Sequence, residues 1–169
     1  MEARKWYVLQ VMTGMETDCR RRAAEAGFCA VVPTRIMPEW SGRRWREREI
    51  VMLPGYVFVR CGGTIAEYYR LSAIREAVRI LPGKGVYTPV PDSQMAWILE
   101  LANGGKPWAV SAASIRDGRI HVLSGPLVGR EDLVVNWDRH RRRAKILVRV
   151  LDQRRMIDVG MVDADTNSP

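Results

Sequence analysis

The chain has 169 residues, 47% of them hydrophobic, with 27 Lys and Arg against 19 Asp and Glu for a formal charge of +8. That supports a packed core and excludes wholesale disorder, and no apolar run reaches the ~18 residues of a membrane-spanning helix. Met1 to Trp6 lacks the apolar stretch of a signal peptide, so a cytoplasmic protein without membrane contact is expected. The cations divide into 23 Arg and 4 Lys. A GC-rich genome produces such a skew unaided, but the Arg fork also matches phosphate and the guanine edge, making nucleic acid the first partner to test.

Trp6 to Met12 is a continuous run of strand formers suited to a strand buried on both faces, and Gly14 breaks it. From Met15 the period becomes helical, with Met15, Cys19, Ala23 and Ala26 on one stripe and Gly27 closing the helix. Glu16 with Arg20, Asp18 with Arg22 and Arg21 with Glu25 form i,i+4 pairs on the remaining surface, which makes Arg20-Arg21-Arg22 a solvated helix face. Cys29 to Val32 is a second strand. Between Ile36 and Glu49, the Ser41-Gly42 turn and the alternation of Arg44, Arg46 and Arg48 with Trp45, Glu47 and Glu49 predict a protruding β-hairpin with an Arg row on one face.

Ile50 to Arg60, interrupted by Leu53-Pro54-Gly55, returns to the core. Thr64-Ile65-Ala66-Glu67 is a capping box opening a helix to about Ser72. Ala77 to Leu81 is a short strand, and a third helix from Asp92 or Ser93 buries Met95, Ile98, Leu99 and Ala102 before Asn103-Gly104-Gly105. The expected N-terminal domain, residues 1–103, is thus α+β: one antiparallel sheet with helices against it. Residues 104–115 have linker composition. Beyond them the helical period vanishes, and short strands at Ile120–Val122, Leu133–Val135, Lys145–Val150 and Met156–Val159 predict a small barrel over 116–165, with 166–169 a tail.

Catalytic and metal-binding constellations do not assemble. Cys19, Cys29 and Cys61 are odd in number and lack a Cys-x-x-Cys pair, which argues against disulfides and thiolate zinc and leaves small buried apolar roles. His121 and His140 stand apart from other ligand types. Pro82-Gly83-Lys84-Gly85 lacks the spacer and hydroxyl of a phosphate loop and reads as a turn. Glu47 and Glu49, flanked by Arg46 and Arg48, read as salt-bridged surface. No enzyme and no cofactor is expected.

Trp6-Tyr7-Val8, Leu53-Pro54-Gly55-Tyr56-Val57-Phe58-Val59 and Ser124-Gly125-Pro126-Leu127-Val128-Gly129 stand in one order and spacing. Together they resemble the NusG family of transcription elongation factors, with an N-terminal NGN domain, a linker and a C-terminal SH3-like KOW barrel. Val11 to Glu16 and the Arg-rich barrel are most similar to the specialised LoaP-type antitermination branch. The resemblance implies that the NGN domain binds the clamp helices of RNA polymerase and suppresses pausing. By position it assigns Tyr56 and Phe58 to the polymerase-facing surface, with Leu53, Gln10 and Val78 as weaker carry-overs. Strand alternation independently puts Tyr56 and Phe58 on one face, where they form an aromatic anchor if exposed and core if not.

Many members of the family carry a polar or basic residue where Val128 stands. The barrel's cations lie instead at Arg139, His140, Arg141, Arg142, Arg143 and Lys145, with Arg154-Arg155 in the next turn and Arg130 nearby in sequence. These are expected to share one rim and grip a bulged or looped nascent RNA hairpin, because ordinary A-form RNA hides its major groove. The alternative is a barrel that recruits a ribosomal protein or a termination factor. Arg44, Arg46 and Arg48 are further nucleic-acid contacts, and a monomer is expected. Strand formers at Val134-Val135 and Ile146 to Val148 argue against the helical C-terminal hairpin of the RfaH branch.

Overall fold

The computed structural model describes residues 3–81 and 87–166, and the expected Pro82–Gly85 turn lies outside the described residues. The chain forms two compact units. One comprises Met1–Pro33 and Val51–Gly105, the other Thr34–Ile50 and Lys106–Pro169.

In the first unit β1 (Lys5–Val11) is central, between β5 (Tyr56–Cys61) and β6 (Ala77–Ile80), and β2 (Cys29–Val31) completes an antiparallel sheet in the order β2-β5-β1-β6. As its apolar run predicts, Tyr7, Val8 and Leu9 are all buried. One core cluster gathers Tyr7, Leu9, Val11, Val57, Val59 and Cys61 with Cys19 and Ala23 of α1 (Glu16–Glu25) and Leu71 of α2 (Ile65–Ser72). The capping box forms as read: the Glu67 N–H donates to the Thr64 hydroxyl, and the Thr64 N–H donates to the Glu67 carboxylate at 3.1 Å. In α3 (Asp92–Ala102) the buried stripe is Met95, Ile98, Leu101 and Ala102. Leu99, expected in that stripe, is 39% exposed.

Two surface expectations fail for tertiary reasons. Arg22 pairs not with Asp18 but with Glu76, at 2.9 Å. Glu16, read as a surface partner of Arg20, is buried, and its carboxylate accepts from the N–H groups of Gly14 (2.9 Å) and Gly55 (2.8 Å). The cysteines also divide. Burial, then the charge of Glu76, pushes the Cys19 thiol up to about 11, and burial raises Cys61, whereas Cys29 is exposed rather than core.

The second unit contains a curled five-stranded sheet in the order β8-β7-β11-β10-β9: β7 (Ser111–Arg116), β8 (Arg119–Ser124), β9 (Val134–Asp138), β10 (Arg143–Val150) and β11 (Gln153–Asp163). Strands, not a helical hairpin, occupy this segment, in line with its strand-forming residues. Residues 111–115, linker by composition, begin β7 instead, and the linker's Trp108 is buried. The turn over Ser124–Gly129 follows from close approach: Gly125 has φ +93°, and a Cβ there would stand 2.6 Å from the Ser111 Cα. Leu127 is fully buried behind it, and its N–H donates to the Ser111 hydroxyl at 3.3 Å.

The hairpin of β3 (Thr34–Trp40) and β4 (Trp45–Val51) forms as the sequence predicts, but it belongs with this barrel rather than protruding from the N-terminal sheet. β3 runs against the segment before β7. The Ile36 N–H donates to the Trp108 carbonyl, and the Trp108 N–H to the Thr34 carbonyl, each at 2.8 Å. Gly160 of β11 admits this approach, since a Cβ there would meet the Ile36 carbonyl oxygen and Val110 Cγ2, each at 2.9 Å.

Candidate functional site

In the first unit, direct cross-strand pairing sets Gln10 opposite both Tyr56 and Arg79, making a row across β5, β1 and β6 on one face of the sheet. Tyr56 and Gln10 are half-buried, and the Arg79 guanidinium donates to the Gln10 side-chain carbonyl at 2.6 Å. The register slips between Gln10 and Val11, so Val78 is the extra residue of a β-bulge and is turned outward, 60% exposed. Thus Tyr56, Gln10 and Val78 come together at one end of the sheet. Phe58 and Leu53 do not join them. Phe58 shares the face of Tyr56 but pairs with Val8 and Val31 and is fully buried, and Leu53 is buried in the turn before β5. Both are core in this chain, so the expected aromatic pair reduces to Tyr56 alone.

The turn that launches Tyr56 is held on both sides. The Val11 N–H donates to the Gly55 carbonyl at 2.9 Å, and the Gly55 N–H donates to buried Glu16. One of several acidic residues in a helical stretch, Glu16 carries no sequence signal for this role.

In the second unit the cations do not share one rim. The Arg139–Arg142 turn precedes β10, whereas Arg154 and Arg155 follow it, and an eight-residue strand separates its ends by about 25 Å. Arg154 is exposed, and Arg155 is half-buried with its guanidinium donating to the Gln153 side chain. Arg130 lies over the Trp108 ring, 5.9 Å from its centroid.

At the other end, Lys145 stands opposite both Asn136 and Asp158, and Arg143 beside it, on the outward face of β9, β10 and β11. Asp158 lies 3.8 Å from both Arg143 and Lys145. A depression of about 150 Å³ is lined by these residues with Asp138 and Arg141. Arg141 is anchored by backbone: its N–H donates to the Asp138 carboxylate at 2.9 Å, which leaves its side chain largely in solvent.

The remaining turn residues face a second cleft of about 430 Å³, lined by Trp45, Arg139, His140, Arg142, Asp163 and Thr166. Arg139 ion-pairs with buried Asp163 and lies over Trp137. Arg142, at φ +54°, stacks on Trp45 at 4.4 Å from the ring centroid. Trp45 in turn meets Trp40 edge-on at 5.6 Å. This link between turn and hairpin is absent from the sequence-based expectations, although two Trp flanking Ser41-Gly42 is a cross-strand aromatic pattern. Arg44, Arg46 and Arg48 are exposed on β4 and the turn before it, with Arg48 3.6 Å from Glu39.

A family model described as NusG, transcription termination factor nusG, matches residues 4–99, over half of the chain. The chain belongs to the NusG family. The transcription termination/antitermination protein NusG of Buchnera aphidicola subsp. Acyrthosiphon pisum (strain APS) is 21% identical over 178 residues, covering 98% of each chain. A solved structure described as domain interaction in Thermotoga maritima NusG matches with a TM-score of 0.59 at 21% identity, covering 94% of each chain. The NusG fold, an N-terminal sheet with helices and a curled C-terminal β-sheet, therefore extends past the segment matched by the family model. This NusG-family chain is a factor of the termination/antitermination class. Among the described residues no group of three His, Cys, Asp or Glu is placed to hold a metal, and no helix is long and apolar enough to cross a membrane.

Proposed function

We propose that this chain is a non-enzymatic, processive antitermination factor of the specialised LoaP type. It binds the RNA polymerase clamp helices through Tyr56, Gln10 and Val78, and it grips a nascent RNA hairpin through Arg141, Arg143 and Lys145. The observation that carries the RNA role is where the charge falls. The unit made of 34–50 and 106–169 holds 17 cations against 11 anions, whereas the other holds 10 against 8. Three quarters of the excess thus sits with the hairpin and barrel, where Arg141 and Lys145 extend into solvent as phosphate ligands.

Tyr56→Ala is expected to weaken co-purification with core RNA polymerase about tenfold or more, as loss of a central aromatic anchor does. Retention of full binding would remove the row from the interface. The Arg141→Ala/Lys145→Ala double variant is expected to weaken binding of an RNA hairpin and lower the salt slope by about 1.5. An unchanged slope would exclude both as phosphate ligands.

A second reading has its own support. Leu147 and Met156 pair directly across β10 and β11 and are exposed, an apolar spot suited to recruiting a ribosomal protein or termination factor. Pull-down of such a protein by the wild type but not by Leu147→Ser would favour it.

A further inference from the structure

The cleft between the Arg139–Arg142 turn and the β3–β4 hairpin differs in chemistry from the Arg141–Lys145 face. It has an aromatic wall, Trp45, with a planar guanidinium already stacked on it. Its one buried carboxylate, Asp163, is neutralised by Arg139. Arg141 and Arg143 each have a carboxylate nearby, whereas among the described residues no carboxylate lies within ion-pair distance of Arg142 or His140. Beside the wall, Trp40 is 57% exposed, a large apolar ring left in water at a hairpin turn that also carries exposed Arg43 and Arg44. The backbone adds a second sign. Arg142 holds a left-handed conformation that glycine or asparagine adopts more easily, so its side chain is kept at a local cost.

The geometry points to a seat for one unpaired nucleotide, its base stacked on Trp40 beside the Trp45–Arg142 pair and its phosphate held by Arg142 and His140. The cleft's volume falls in the roughly 300–1,000 Å³ range of small-ligand sites. Stacking on an aromatic or guanidinium plane is how proteins hold splayed bases, and it is open to any base because each has a π-face. The inference rests on the nucleic-acid reading of this unit and refines it: the Arg141–Lys145 face meets paired backbone, and the Trp–Arg cleft meets the base that pairing leaves out.

The test uses the full chain and fluorescence anisotropy with a short labelled oligo(A) RNA, the same-length oligo(dA), and the oligo(A)·oligo(U) duplex. Trp40→Ala and Arg142→Gly are each expected to weaken oligo(A) binding about tenfold, the scale of one lost base stack, with duplex binding unchanged. Glycine suits the left-handed position, so Arg142→Gly folds, which thermal melting checks. The salt slope is expected to flatten for Arg142→Gly and stay unchanged for Trp40→Ala, because only the former loses a phosphate ligand. Oligo(A) affinity unchanged by both variants, or duplex affinity lost in parallel, would overturn the seat. Tighter oligo(dA) binding with the same variant losses keeps the seat and assigns it to a displaced DNA strand rather than the transcript. If Arg141→Ala/Lys145→Ala weakens the duplex while both cleft variants bind normally, the cationic face stands and the seat falls. The reverse pattern leaves the seat and removes the face.

Discussion

Gly160→Val is expected to destabilise the second unit by about 3 kcal/mol or more, because overpacking here cannot be relieved by rotating a side chain. The nearest atoms to a Cβ at 160 are a backbone carbonyl oxygen, Ile36 O at 2.9 Å, a Val110 methyl at 2.9 Å and the Pro38 ring at 3.0 Å. A carbonyl in a hydrogen-bonded strand and a proline ring have little freedom to yield. Valine is a good strand former, so propensity pulls the other way and any loss reports on space alone. Gly160→Ala should fall between wild type and valine. The hairpin's separation is read directly: with β3 pushed off β11, Trp45 leaves Arg142, and its fluorescence shifts toward that of solvated indole. Urea melts and emission spectra of the two variants check both parts. A valine variant within about 0.5 kcal/mol of wild type, the spread of an unremarkable surface change, would show that β3 does not lie on β11 in solution.

Glu16→Ala is expected to cost about 2–4 kcal/mol, the range for stripping a charged acceptor from two N–H donors in a site largely closed to water. The two donors, Gly14 just after β1 and Gly55 just before β5, lie at the same end of this antiparallel pair, so one side chain ties the two connections together. Glu16→Gln keeps one acceptor oxygen but turns an amide toward the other donor, and it should retain roughly half of the interaction. On the polymerase-binding role proposed for Tyr56, the functional consequence is expected to exceed the thermodynamic one. Gly55 immediately precedes Tyr56, so a loosened turn misplaces the aromatic while the rest of the sheet stays folded. Polymerase co-purification should therefore fall with Glu16→Ala at temperatures well below its melting point. Denaturation curves indistinguishable from wild type would mean that water replaces the carboxylate without loss.

What the sequence makes legible is local or periodic. The Thr64–Glu67 box needs only four residues and forms with both reciprocal bonds. The β1 run and the helix stripes carry their period in the sequence. Phe58 is undecidable at that level because β5 is buried on both faces, with Val57, Phe58 and Val59 all inside, and alternation then says which residues share a face but not which face is wet. Glu16 misleads because an acidic residue at a helix start has an ordinary surface explanation, and its acceptor role depends on Gly55, 39 positions away. The hairpin's place depends on Gly160 and Trp108, still more distant. The shared cationic rim, by contrast, conflicts with strand geometry that the sequence already contains. Successive turns of an antiparallel meander fall at opposite ends of the strand between them, so the Arg139–Arg142 and Arg154–Arg155 groups are separable from strand length alone.

The seating of β3 against β11 also bears on how the chain folds. The two strands lie about 120 residues apart in sequence, so the second unit contains a contact that must close a very long loop. Contacts of that separation slow folding. During synthesis residues 34–50 leave the ribosome long before Gly160 exists. The first unit can assemble around them while the hairpin, with its paired Trp, waits without its partner surface. Docking of the hairpin is then expected to be a late event, and a chain stalled or truncated before β11 would present the Trp40–Trp45 hairpin without the strand it packs against.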